Sequence, residues 1–374
     1  MHGMKDKKKK IIILAIAIVA IVVAGIYFFM KYRTYHIVEL TMTYENNNTD
    51  NANYIHCFGN ILRYGRDGIA LLEKDGGEIW NQSCQMSNPI VEMCGDSVAV
   101  GDKGGTSILV FEKKGLKGEI KTTKPIEKIA VSSQGIVCAM LKDDENPLVM
   151  CYDAVGNKLV EHKVLPKTMG YPIDVALSTD GKTLLVSYLY TGEEEVTTKV
   201  VYYYFGDDNT EKDDYQVYQQ DFAGSVIPVT AFLTKDISIL VADNGLIFFK
   251  GLKEPRETAR INIDTEIQCV GYGEKLVAVV VDSNGATDYK LNIYNKKGKL
   301  LSSVDIEKEY TGIKVTNNQV ILYDGQTCGI YLKNGVCKYQ GNLEQKVLEM
   351  YPLGGLNKYM VINTSGFYEL RLVE

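Results

Sequence analysis

Two periodicities divide this chain. From Ile11 to Met30 it reads IIILAIAIVAIVVAGIYFFM, twenty residues without a charge. At a rise of about 1.5 Å per residue, such a helix spans a hydrocarbon core of about 30 Å. Beyond Ile37 the pattern changes to short β-branched and aromatic runs bounded by glycine turns, with no helical stripe. That pattern predicts an all-β body.

The runs form a repeat. A unit opens on a short apolar strand at Ile55, Ile90, Ile126, Ile173, Ile227, Ile267, Ile313 and Val347, several of these beside a proline. From Ile55 to Val347 the mean spacing is about 42 residues, the length of a four-stranded propeller blade. Second and third strands recur in the same order, as in Val98-Ala99-Val100 with Ile108-Leu109-Val110-Phe111, or Val320-Ile321-Leu322 with Ile330-Tyr331-Leu332. Asp75-Gly76, Lys114-Gly115, Gly156-Asn157, Lys297-Gly298 and Asn334-Gly335 supply the positive-φ positions of tight hairpins. The prediction is an eight-bladed β-propeller, with a seven-bladed ring as the alternative. The eighth unit holds three strands only. The segment Ile37 to Tyr44 reads as a strand without a partner, so it is expected to complete that blade and protect an open edge.

Charge orients the molecule. The net charge is -6, but residues 1–33 carry +6 and the remainder -12, which argues against a nucleic-acid partner. Lys5 and Lys7 to Lys10 precede the apolar stretch, whereas only Lys31 and Arg33 follow it. This excess places the N-terminus in the cytoplasm and the body across the membrane. The stretch is longer than the apolar region of a signal peptide and ends in Tyr27-Phe28-Phe29-Met30 rather than a small-residue cleavage site. The expected organisation is a cytoplasmic tail (1–10), a transmembrane helix (11–30), a linker (31–36) and an extracytoplasmic propeller (37–374). Tyr27, Tyr32 and Tyr35 are expected at headgroup depth.

Candidate chemistry is sparse. The eight cysteines, Cys57, Cys84, Cys94, Cys138, Cys151, Cys269, Cys328 and Cys337, include no CxxC, and most fall in apolar strands. They are expected as buried thiols rather than a disulfide framework, with Cys84 and Cys94 the first pair to check. A two-residue turn at Asn334-Gly335 would set Leu332 opposite Cys337 and Cys328 opposite Gly341. Outside the tail, His36, His56 and His162 sit in no metal-binding spacing. The Gly181-Lys182-Thr183 triplet lacks the upstream glycine of a P-loop and reads as a hairpin turn.

The segment Ile69-Ala70-Leu71-Leu72-Glu73-Lys74-Asp75-Gly76-Gly77-Glu78-Ile79-Trp80 resembles the repeat of quinoprotein-like propellers, in which a strand, a glycine turn and a Trp-bearing strand recur. Over residues 11–374 the chain resembles an uncharacterised bacterial family of single-pass membrane proteins carrying such a propeller outside. Quinone enzymes of that superfamily pair a stacking Trp with adjacent cysteines and a calcium site. This chain has no adjacent cysteines, and Trp80 occupies the repeat's structural slot. No quinone, metal or other cofactor is therefore expected, and the resemblance implies an envelope scaffold that binds another protein.

Two acidic loops lie in the longest unit, Ile173 to Val226. Glu193, Glu194 and Glu195 form one. Asp207, Asp208, Asp213 and Asp214 belong to the other, which lacks the glycine and closing Glu of a calcium loop. Insertions in repeat proteins map to one face, often the binding face, so both loops are expected to contact a partner. The reading is a non-enzymatic module of the cell envelope that binds or scaffolds proteins. Its alternative is an envelope hydrolase or lyase with a site in the central funnel.

Overall fold

The computed structural model describes residues 2–45, 52–143, 145–192, 195–206, 215–283 and 288–374. Eight four-stranded antiparallel sheets make up the body. Seven are consecutive meanders: blade 1 (53–83), blade 2 (89–121), blade 3 (126–163), blade 4 (171–223), blade 5 (229–262), blade 6 (267–306) and blade 7 (312–342). Blade 8 takes three strands from 349–373. Its outer strand is Ile37–Glu45, antiparallel to Gly366–Val373 with Ile37 opposite Val373 and Glu45 opposite Gly366.

First strands of successive blades touch one another, as 126–131 does 171–177 and 171–177 does 229–234, so these strands line the central channel. The core is not one mass but eight seams. Each hydrophobic cluster draws its residues from two neighbouring blades, as Ala99, Val110, Ile129 and Ala139 do between blades 2 and 3. Tyr54, Ile61 and Leu72 of blade 1 pack on Met360, Ile362 and Phe367 of blade 8, and this seam closes the ring.

One irregularity repeats eight times. Each outer strand bulges, so that one residue is skipped in the pairing with the third strand: Thr41, Ile79, Lys117, Leu159, Val217, Thr258, Leu301 and Lys338. A bulge sharpens the right-handed twist, which suits the outermost strand of a blade. The bulge also corrects the expected register of the last hairpin. Its loop has three residues, 333–335, with Leu332 N–H donating to Val336 O at 2.9 Å. Tyr331 thus faces Cys337, Lys338 is skipped, and Cys328 still meets Gly341. The left-handed conformation of Gly335 (φ 87°) makes that tight loop possible.

The helix runs from His2 to Tyr32 rather than from 11 to 30, because nothing in the lysine-rich run breaks it. Between Ile12 and Tyr32 it is long and apolar enough to cross a bilayer, as an anchor or as a signal sequence, and its apolar side chains meet no protein core. The following residues do not hang free. Tyr35 N–H donates to Lys338 O at 2.8 Å, Thr34 Oγ1 donates to Cys337 O at 2.9 Å, and Arg33 pairs with Glu374. Tyr35 is buried between blades 7 and 8, packed in the cluster with Tyr339 and Tyr359.

Six of the cysteines are thiols as expected, while Cys138 and Cys151, a pair that the sequence did not single out, form a disulfide. They sit directly opposite each other on the second and third strands of blade 3, with Cα atoms 4.0 Å apart. Only the hairpin register reveals that proximity. Cys84 and Cys94 are free and half-buried.

Candidate functional site

Strand direction defines two faces. All meanders alternate, so first–second and third–outer turns lie at the end where Ile37 begins its strand. This is the anchor face, because the helix arrives there. Second–third turns and the connectors between blades lie on the far face.

Blade 4 extends furthest, with strands Thr183–Thr191 and Val196–Tyr204 of nine residues each. Of its predicted contact residues, Glu195 is exposed, while Glu193, Glu194, Asp207, Asp208, Asp213 and Asp214 lie outside the described residues. Of the strand ends that flank these loops, Thr191 and Val196 lie on the far face, and Tyr204 and Gln216 on the anchor face.

The far end of blade 4 is also apolar, which acidic residues alone did not suggest. Leu165 is 58% exposed, Tyr171 52% and Val196 39%. The short helix Pro166–Met169 braces them, Lys199 Nζ donating to Thr168 O at 2.7 Å and lying 4.8 Å from the Tyr190 ring. A cleft of about 240 Å³ opens beside it between blades 4 and 5. In its wall the Arg260 guanidinium sits 5.3 Å from the Phe222 ring and is held by both oxygens of Glu257.

The channel carries a second group of polar side chains that sequence reasoning missed. Buried Asp174 on blade 4 pairs with Lys128 on blade 3 and accepts hydrogen bonds from the Thr230 backbone N–H and hydroxyl on blade 5. On the opposite wall Lys314 of blade 7 pairs with Glu349 of blade 8, which also accepts from the His56 backbone N–H of blade 1 at 3.4 Å. The His56 ring lies 4.0 Å from Tyr351, and burial lowers its imidazole below the usual range. Both bridges tie neighbouring blades together.

Glu92 of blade 2 differs. It reaches water but is ringed by protein, and the resulting desolvation raises its carboxyl to about 7, with Lys128 opposing the rise and Asp174 adding to it. Tyr272 feels both Glu92 and Asp174 from blade 6, across the ring. Glu92 makes no hydrogen bond or ion pair among the described residues, and no three His, Cys, Asp or Glu side chains there gather as a metal would require. A signal for these residues did exist: Glu92, Lys128, Asp174 and Lys314 each interrupt an apolar first strand.

Residues 31–372 match the model of a family of unknown function, DUF5711, and the chain belongs to that family. No curated protein matches it significantly. Among solved structures, BamB from Moraxella catarrhalis shares the fold at a TM-score of 0.55 and 10% identity, over 90% of this chain and 100% of that one. Kluyveromyces lactis Hsv2p aligns at 0.49 and 8% identity (84% and 99% covered). The Neurospora crassa Pan2 WD40 domain aligns at 0.47 and 8% (77% and 89%).

Proposed function

We propose that this chain is a single-pass membrane protein that holds its propeller outside the membrane as a non-enzymatic scaffold of the cell envelope, with a protein partner docked on the far end of blade 4. The observation that carries this is that Leu165, Tyr171 and Val196, on the connector, the first strand and the long hairpin of blade 4, are all exposed at its far end; apolar groups clustered in the open mark interaction sites. The adjoining Glu195 gives the patch an acidic rim, which suits a basic border on the partner. Export is supported by the lysines ahead of the helix and by the Cys138–Cys151 disulfide, since such bonds persist in oxidising compartments. The test is crosslinking in intact cells with the full chain and a Leu165→Ser, Tyr171→Ser, Val196→Ser variant. Adducts that fade in the variant, at unchanged protein level, support the reading; an identical adduct pattern overturns it.

Glu92 favours a second reading, a hydrolase or lyase with its site in the funnel, because a carboxyl poised near neutrality suits a general acid. Turnover of any ester, glycoside or uronide substrate that disappears in Glu92→Gln would establish it.

A further inference from the structure

The anchor face is unevenly charged. Lys275, Lys297, Lys299 and Lys333 are exposed there and Lys296 half-exposed, on turns of blades 6 and 7, with Glu274 the one acid among them. The turns are contiguous. Lys296 N–H donates to Lys275 O at 3.0 Å, and Ser302 Oγ of blade 6 donates to Lys333 O of blade 7 at 3.2 Å. No ion pair among the described residues engages any of the five lysines. Leu300 (49% exposed) and Leu301 (39%) stand in the same turn region. The patch adjoins the tether, because Thr34 docks on Cys337, two residues beyond the blade 7 turn.

We infer that this lysine and leucine patch rests on an anionic lipid surface, so that the propeller stands on the membrane by its blade 6–8 edge and lifts blade 4 away from it. The inference rests on the membrane-anchor reading and extends it. A docked tether fixes which edge meets the bilayer; lysines near an anionic surface each contribute about 1 kcal/mol, while leucines among them can enter the headgroup boundary.

The test uses the full chain in nanodiscs of phosphatidylcholine alone and of equimolar phosphatidylcholine and phosphatidylglycerol, read by amide hydrogen exchange. Anionic discs should slow exchange at 296–301 and 333–336 about fivefold or more, an effect that high salt removes and that leaves the 153–157 turn of blade 3 unchanged. Lys297→Glu, Lys299→Glu, Lys333→Glu together should abolish it with Trp80 emission unaltered. Equal exchange in both lipids by a chain that stays in the disc overturns this inference alone, as does equal protection at 153–157. A chain that leaves the discs overturns the anchor reading along with it.

Discussion

Trp80 lies flat on Phe111, ring centroids 5.0 Å apart and planes 3° from parallel, although the two belong to different blades. Trp80 sits beside the bulge of the blade 1 outer strand, and its Nε1 donates to Lys113 O at 3.1 Å. Phe111 occupies the third-strand position just past the bulge pairing in blade 2. The same position holds Tyr152, Tyr203, Phe249, Tyr294 and Tyr331 in blades 3 to 7. Outer strands reach these rings again at Tyr218 with Phe249 (5.6 Å) and His162 with Tyr203 (5.0 Å). The seam is thus a repeated contact in which the Trp is one occupant of a slot. Trp80→Ala should cost about 2–3 kcal/mol, less than a fully buried Trp because one edge is wet. Trp80→Phe should cost about 1 kcal/mol, for the lost hydrogen bond. Denaturant unfolding followed by far-UV circular dichroism checks both, and equal midpoints for wild type and alanine variant would refute the seam role.

Thiol counting tests the covalent structure. Of eight cysteines, Cys138 and Cys151 are paired and buried, and the other six are free. Protein purified without reductant and then denatured should take up six maleimides, rising to eight after reduction. Eight in both conditions would mean that the bond does not form in the protein's compartment, and would count against export.

Lys338 is a buried cation without a carboxylate partner among the described residues. Burial lowers its ammonium to about 8; it donates to Leu356 O and lies 5.9 Å and 5.6 Å from the Tyr35 and Tyr359 rings. A lysine with a folded pKa below its unfolded value of 10.5 binds fewer protons when folded between those two values, so stability rises with pH from about 8 upward. Lys338→Met removes the cost of burying the charge, about 1–3 kcal/mol at pH 7, less the lost hydrogen bond. The variant should therefore melt no lower than wild type at pH 7 and lose that advantage at pH 10. A lower melting temperature at pH 7 would show that the two rings and the carbonyl outweigh desolvation.

Blade number was legible because glycine turns and strand order recur in every unit, and the shortfall of the eighth unit pointed to a strand elsewhere. The bulges were not legible. Skipped residues as different as Lys117, Leu159 and Thr258 share no chemistry, only a place in the twist. For the same reason the disulfide escaped notice: Cys138 and Cys151 become neighbours only once the hairpin register is set. The channel residues escaped because a charge in a first strand means nothing until the ring brings Lys128 to Asp174 and Lys314 to Glu349. The acidic loops were found by composition, but composition carries no direction along a strand, so it could not tell that the strand ends beside one, Thr191 and Val196, lie on the far face and those beside the other, Tyr204 and Gln216, on the anchor face.

The ring's closure rests on Ile37–Glu45. Its Tyr44 stacks on Phe367 at 4.7 Å, and Met42 and Tyr44 pack in the seam with Tyr54 of blade 1. A chain beginning at Asn46 would bare the edge of Gly366–Val373 along its whole length. It should aggregate or melt well below one beginning at Thr34, and equal melting temperatures would show that the other strands hold the ring without it.

Glu92 gives the channel a pH signature whose sign is opposite to that of an ion-paired carboxylate. Its folded pKa of about 7 lies above the model-peptide value of 4.5, so the folded state holds a proton that the unfolded state has already lost between those limits. Stability therefore falls as pH rises from about 4.5 to 7, and the cost of an ionised Glu92 is fully present above that window. Because the side chain also reaches channel water, the shift converts to on the order of 1 kcal/mol rather than its full nominal value. Glu92→Gln removes the charge while keeping the shape. The variant should match wild type at pH 5 and exceed it by about that amount at pH 8, measured as denaturant midpoints of the full chain in detergent. A glutamine variant with the same advantage at both pH values would mean that Glu92 does not titrate in this range. A variant less stable at pH 8 would mean that the ionised carboxylate is held by Lys128, and the funnel would then lose this poised acid.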